Sequence, residues 1–156
     1  MIEDIKELKK QIGLKKEIHL SGNIGTETDD GYINVFVESD LELTNTGRCI
    51  LVIGKIKGQT DSVCVRCLNE FKLNVECDIN EHFYQEEDVS NRTIQPSKDE
   101  DYFLYKGTKI DLTEALRQNI LMAIPLKTIC KPDCKGICMS CGCDRNTQEC
   151  SCGESD

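Results

Sequence analysis

The stretch Ile33-Asn34-Val35-Phe36-Val37-Glu38-Ser39-Asp40-Leu41-Glu42-Leu43 alternates along its length: Ile33, Val35, Val37, Leu41 and Leu43 share one parity, and Asn34, Glu38, Asp40 and Glu42 the other. Successive side chains of a strand point to opposite faces of a sheet, so this period of two spells a strand, or a bent pair of strands, with one wet face. Further along, Phe71, Leu73, Val75, Cys77 and Ile79 repeat the pattern. Between the two runs Cys49 to Ile53 is apolar throughout, and the parity Ile50, Val52, Ile56 continues past it, as expected of a strand nearer the sheet centre. A period of two dominates from about Lys16 to Gln85. Turn signals at Asp29-Asp30-Gly31, Asn45-Thr46-Gly47 and Gly58-Gln59-Thr60-Asp61-Ser62 separate the runs, and such short connections favour antiparallel pairing.

Outside the strands the pattern changes. Residues 86–101 are acidic and hold little that a core could use, which predicts a mobile loop. Asp111-Leu112-Thr113-Glu114 then reads as a helix start, with Asp111 as N-cap and Glu114 completing a capping box. Leu112, Ala115, Leu116, Ile120, Ala123 and Ile124 fall on one helical face, so a helix over about 111–124 packs on the sheet before Pro125 ends it. At the other end Ile2, Ile5, Leu8 and Ile12 are spaced for an amphipathic turn or two. The expected fold is α+β: an antiparallel sheet with one packed helix in a domain over 1–125, and a small cysteine-rich module over 126–156.

Eleven of the 156 residues are cysteine, an odd number that forbids complete pairing within one chain. The first residues, Met1-Ile2-Glu3-Asp4-Ile5-Lys6-Glu7, lack the basic region and apolar stretch of a secretory signal, so the expected location is the reducing cytoplasm. There, closely spaced thiols are better explained by metal than by cross-links. Seven of the eleven lie between Cys130 and Cys152, in a segment with too few large apolar side chains to build its own core.

Zinc takes four thiolates at tetrahedral angles, and C-x-x-C grips it through a tight turn. Cys138-Met139-Ser140-Cys141-Gly142 has that spacing, with a glycine free to take positive φ after the second sulfur. Cys138, Cys141, Cys150 and Cys152 therefore form one candidate set. Cys64, Cys67, Cys130 and Cys134 form a second, which would pin the tail to a turn of the sheet. An alternative joins Cys130, Cys134, Cys138 and Cys141 and leaves Cys64 and Cys67 as a free dithiol. One or two structural zinc ions are thus expected. Cys49 and Cys77 read as small buried hydrophobes, and Cys143 as a spare thiol beside the knuckle. The C-x-x-C-x-x-C run usual in ferredoxin-type iron–sulfur proteins is absent.

Other functions are disfavoured on physical grounds. No apolar run approaches the length of a membrane span. The net charge of −9 argues against a protein that wraps nucleic acid. His19 and His82 lie far apart without a nucleophile or carboxylate in a recognisable arrangement, and all-thiolate zinc is closed to substrate, so no enzyme and no small-molecule substrate are expected.

The combination of Cys64-Val65-Arg66-Cys67-Leu68-Asn69-Glu70-Phe71, an acidic stretch, Asp111-Leu112 opening a helix that runs into Leu121-Met122-Ala123-Ile124-Pro125-Leu126, and the tail Cys130-Lys131-Pro132-Asp133-Cys134-Lys135-Gly136-Ile137-Cys138-Met139-Ser140-Cys141-Gly142 resembles the YceD family of bacterial and plastid proteins. That resemblance implies a role in large-subunit ribosomal RNA accumulation and ribosome biogenesis. In many bacteria the gene lies beside that of a small large-subunit ribosomal protein. Some members lack the C-terminal cysteines, which implies that zinc reinforces structure here and is not the seat of chemistry. Cys143 departs from the usual pattern. The implied partner is a ribosomal protein, held by the acidic sheet and loop, or a large-subunit ribosomal RNA precursor, contacted by Arg66, Lys127, Lys131, Lys135 and Arg145, among which no aromatic residue stands to stack bases. The alternative function is a thiol-redox or metal-handling protein built on the C-x-x-C pair and the tail.

Overall fold

The computed structural model describes residues 1–28, 31–97 and 101–152. Four long strands, β2 (Lys15–Thr28), β3 (Gly31–Asn45), β4 (Ile50–Val63) and β5 (Glu70–Gln85), follow β1 (Ile2–Asp4) and pair as consecutive antiparallel neighbours. After a one-turn helix α1 (Glu86–Ser90), β6 (Tyr102–Tyr105) joins β5, giving a five-stranded sheet in the order β2-β3-β4-β5-β6. The short β7 (Lys109–Asp111) pairs with β1 as a separate ribbon, and helix α2 (Thr113–Ala123) follows it. The fold is α+β, with one main helix.

The alternation around Val35 sets the inner face. Val35, Val37, Leu41 and Leu43 of β3, Val52 and Ile56 of β4 and Ile79 and Phe83 of β5 are all buried, and the central place of β4 follows from its apolar start. Ser39 shares that inward parity, and its hydroxyl is buried without a hydrogen-bond partner among the described residues. Against this face lie Ala115, Leu116 and Ile120 of α2, with Leu112 just before it, and Ile5, Leu8 and Ile110 from the ribbon region.

Several expectations are corrected. The segment Gly58-Gln59-Thr60-Asp61-Ser62 is not a turn; it lies within β4. Gly58 is there for close approach, since a Cβ would stand 2.7 Å from Ile120 Cδ1 and 2.9 Å from Val75 Cγ2. The chain turns instead at Cys64–Asn69. Residues 86–101, expected to be a loop, begin with α1, whose Glu86, Glu87 and Asp88 suit the positive end of a helix. Glu86 also pairs with Lys106 at 2.8 Å. Of that segment, residues 98–100 lie outside the described residues, as do Asp29 and Asp30 of the first turn signal. The same segment is the long connection that a parallel pair needs, so β6 runs parallel to β5 in an otherwise antiparallel sheet.

At the helix start the capping box does not form. Asp111 Oδ1 accepts the Thr113 backbone N–H at 3.0 Å, while the Asp111 backbone lies in the β1–β7 ribbon and Glu114 turns to Arg117 and Gln118. Where an amphipathic turn or two was expected, the N-terminal residues form β1 and then a single 3₁₀ turn over Leu8–Lys10; Ile5 and Leu8 are buried, but Ile2 and Ile12 are exposed.

Candidate metal centres

The eleven cysteines fall into distinct places. Cys49 is buried, its sulfur 3.3 Å from Thr46 Oγ1. Cys77 is half-buried against the core and donates to the Asn119 carbonyl at 3.6 Å. The other nine gather at the end of the sheet where β4 turns into β5.

Cys64, Cys67, Cys130 and Cys134 bring their sulfurs within 4.8 Å of one another, and so do Cys138, Cys141, Cys150 and Cys152. Each quartet could hold a metal ion. The grouping of Cys130, Cys134, Cys138 and Cys141 is not formed, and Cys64 and Cys67 do not stand as a separate dithiol. With Zn–S bonds of about 2.3 Å, tetrahedral sulfurs stand about 3.8 Å apart. The separations are 3.8 Å for Cys64–Cys134, 3.7 Å for Cys67–Cys130 and 3.6 Å for Cys141–Cys150, much longer than a disulfide. The donor set and the spacing both fit zinc.

The two centres share one local design. In the first knuckle Leu68 donates its N–H to the Cys64 carbonyl at 2.9 Å, and Cys64 donates to the Asn69 carbonyl at 2.9 Å. In the second, Gly142 donates to Cys138 at 2.8 Å, and Cys138 to the Cys143 carbonyl at 2.8 Å. Leu68 and Gly142 both take positive φ, 60° and 74°.

These turns aim backbone N–H groups at the leading sulfur. Burial pushes the Cys64 thiol up, but backbone hydrogen bonds from Cys130, Cys67 and Arg66 outweigh it and bring it down to about 6. Backbone hydrogen bonds from Cys141 and Ser140 bring Cys138 down to about 6 as well. Other members are opposed by their neighbours: Cys130 is pushed up to about 12, first by burial and then by the surrounding thiols, and Cys152 to about 12 by Cys141 and Cys150. Without a cation the sulfurs of a quartet do not all ionise; a divalent ion at the centre removes that conflict and displaces their protons.

What surrounds the quartets differs. Cys64, Cys67 and Cys134 are buried and pack with Phe71 and Ile129, whereas Cys141 is exposed and its three companions are half-buried. The tail is also stitched to the β4–β5 turn by polar contacts. Val65 donates to the Thr128 carbonyl at 2.9 Å, Thr128 Oγ1 to the Val63 carbonyl at 2.8 Å, and Ile137 to the Arg66 carbonyl at 3.0 Å. Gly136, at φ 72°, permits this last approach, since a Cβ there would lie 3.0 Å from the Arg66 oxygen.

Between the centres sits a bridge that sequence reasoning missed. Asn69 Nδ2 donates to Asp144 at 2.8 Å, the Asn146 backbone N–H to Asp144 at 2.9 Å, and Asn146 Nδ2 to the Cys134 sulfur at 3.5 Å. The hydrogen bonds from Asn146, backbone first, together with that from Asn69, hold the Asp144 carboxyl below the usual range. The only signal for it was the run Asp144-Arg145-Asn146, whose residue types favour Asx turns. Of the candidate partner contacts, Arg66 is engaged, its Nη1 donating to the Cys134 carbonyl at 3.1 Å. Lys127, Lys131, Lys135 and Arg145 are exposed.

No helix among the described residues is long and apolar enough to cross a membrane. Residues 52–156 match the family model described as large ribosomal RNA subunit accumulation protein YceD. An uncharacterized protein of Mycobacterium tuberculosis is 27% identical over 150 residues, covering 91% of this chain and 69% of the relative. A maize (Zea mays) protein named large ribosomal RNA subunit accumulation protein YCED homolog 1, chloroplastic, is 28% identical over 95 residues, covering 54% of this chain and 32% of that one. Its Arabidopsis thaliana namesake is 30% identical over 59 residues, or 38% and 18% of the two chains. No solved structure matches. With two thirds of its length matched by that model, from the central strand through both cysteine quartets, the chain belongs to the YceD family of large ribosomal RNA subunit accumulation proteins.

Proposed function

We propose that this protein is a non-enzymatic cytoplasmic factor that supports large-subunit ribosomal RNA accumulation by holding a basic ribosomal protein until it meets RNA. The observation that carries the reading is the family match over residues 52–156. The outer face of the sheet exposes Glu38, Asp40, Glu76 and Asp78 around Lys55, which reaches Glu76 at 3.8 Å and Asp78 at 3.3 Å; a basic partner would compete with that lysine for these acids, and charge complementarity of this kind speeds encounter. A domain over 1–125 would carry that face, and the tail over 126–156 would be its zinc-stapled module, with Cys64, Cys67, Cys130 and Cys134 on one ion and Cys138, Cys141, Cys150 and Cys152 on the other. Closed thiolate sites give zinc a structural part.

A second reading has its own support. Lys127, Lys131, Lys135 and Arg145 are exposed on the tail, and no ion pair is found for them among the described residues. They suit a phosphate backbone, although each bound quartet would place about two negative charges among them. Affinity purification with and without RNase separates the readings. The adaptor function expects a ribosomal protein that survives RNase and is lost at moderate salt; RNase-sensitive association would replace it with direct RNA contact.

A further inference from the structure

The two quartets agree in sulfur spacing and differ in what can reach the sulfurs and how firmly the chain holds them. Cys141 and Cys150 stand 3.6 Å apart, against 3.8 Å for Cys64–Cys134 and 3.7 Å for Cys67–Cys130. A disulfide bond is about 2.05 Å long, so any of these pairs must contract by about 1.5 Å or more to form one. In the first quartet the surroundings resist that movement. Cys64 donates its N–H to the Asn69 carbonyl at 2.9 Å, Cys134 donates to the Lys131 carbonyl at 3.1 Å, and the Cys134 sulfur accepts Asn146 Nδ2 at 3.5 Å. Cys64, Cys67 and Cys134 are also only 0%, 3% and 4% exposed. In the second quartet the knuckle fixes Cys138 in the same way, but residues 149–152 make no backbone–backbone hydrogen bond among the described residues. Cys150 thus stands on an arm that can close on Cys141, and Cys141 is open to solvent.

We propose that Cys141 and Cys150 are a peroxide-oxidisable pair: a hydroperoxide joins them in a disulfide and the second centre gives up its ion, while the first keeps its own. The inference rests on the zinc reading above. Thiolate character and exposure select which cysteines oxidise, and a sulfenic acid beside a second thiolate condenses with it. The Cys141 thiolate attacks one peroxide oxygen, the O–O bond breaks, and the leaving hydroxide takes a proton to become water. The Cys150 thiolate then attacks the sulfenic sulfur, the S–O bond breaks, and a second hydroxide leaves and is protonated. The two sulfurs lose two electrons, which the peroxide gains, and Cys138 and Cys152 take up protons as the ion departs. The charge of the site changes too. Cys138, Cys150 and Cys152 line one cleft of about 580 Å³ with Lys135 and Arg145, and the exchange of a tetrathiolate ion for a disulfide and two thiols removes about two negative charges from beside those cations.

The test treats the full zinc-loaded wild-type chain with hydrogen peroxide and follows zinc content by native mass spectrometry, with peptide mapping of disulfides and of alkylated thiols under non-reducing conditions. Two ions are expected before treatment and one after, with release of the remaining ion slower by at least several-fold. The map should show a bond between Cys141 and Cys150, and Cys64, Cys67, Cys130 and Cys134 should all alkylate once the oxidised chain is denatured. Dithiothreitol with added zinc should restore the second ion. Release of both ions at one rate, release of neither, a disulfide that joins Cys141 to another cysteine, or oxidation of Cys141 to sulfinic acid without a disulfide would each overturn the proposal. Fewer than two ions before treatment would remove the zinc reading, and the disulfide map alone would then decide the fate of the pair.

Discussion

The two knuckles have nearly the same backbone and nearly opposite surroundings. Cys64–Asn69 lies under the tail, its sulfurs buried with Phe71 and Ile129, and joins residues far apart in sequence. Cys138–Cys143 faces solvent, and its partners Cys150 and Cys152 come from the same short segment. An ion in the first centre would therefore close a long loop and fix tertiary structure, while an ion in the second would organise a local hairpin, marked by the pairing of Ile137 with Asp144. The same donor set would serve architecture in one place and local folding in the other.

The largest effect that can break this contrast comes from removing ligands in pairs. Cys64→Ser with Cys67→Ser should lower zinc from two ions to one and release the tail, so that limited proteolysis cuts throughout residues 126–152; binding energies of about 10 kcal/mol or more are typical of structural zinc at neutral pH. Cys138→Ser with Cys141→Ser should also remove one ion, yet leave residues 126–134 protected. Equal protease patterns in the two variants would erase the distinction between the centres.

A smaller effect sharpens it at one backbone position. Leu68 and Gly142 occupy the same left-handed site, which costs a residue with a Cβ about 1–2 kcal/mol. A Cβ at Gly142 would meet nothing within 4 Å, so Gly142→Ala tests backbone strain alone and should destabilise the second module by about 1 kcal/mol. Leu68→Gly should gain less than about 1 kcal/mol, because glycine also loosens the unfolded chain. Zinc-competition titrations should register the first change at the second centre, and denaturant melts of the zinc-loaded chain the second.

How far the sequence carries this picture depends on what kind of signal each part leaves. The inward parity of Val35, Val37, Leu41 and Leu43 is repeated over a long strand, and burial enforces it, so the sheet and the helical face of α2 were readable. Both quartets could be proposed because C-x-x-C reports a tight local turn. Gly58 was misread because a glycine needed for helix packing has the same letter as one needed for a turn. β6 was hidden because a short parallel edge strand depends on where a long connection returns, which no local period records. The Asn69–Asp144–Asn146 bridge joins residues whose partners are set only after the tail docks.

That bridge joins the two centres through side chains, beside the Ile137–Arg66 backbone contact, and it gives the smallest and most specific test of their coupling. Asp144 is held below its ordinary value first by the Asn146 backbone hydrogen bond and then by the Asn146 and Asn69 side chains. A carboxyl lowered by folding contributes stability that is fully present above its unfolded value and lost as pH falls through the folded one. Between about pH 8 and pH 6 the carboxylate therefore stays ionised in both states and its contribution should be constant. Asp144→Ala should leave two zinc ions bound but increase amide exchange both at Asn69 and around residues 135–146, by the same factor across that pH interval after correction for intrinsic rates. Exchange confined to the second knuckle would mean that the centres are independent. Faster exchange on both sides of the bridge, at Asn69 as well as Asn146, is the outcome expected if the buried centre steadies the exposed one through this carboxylate.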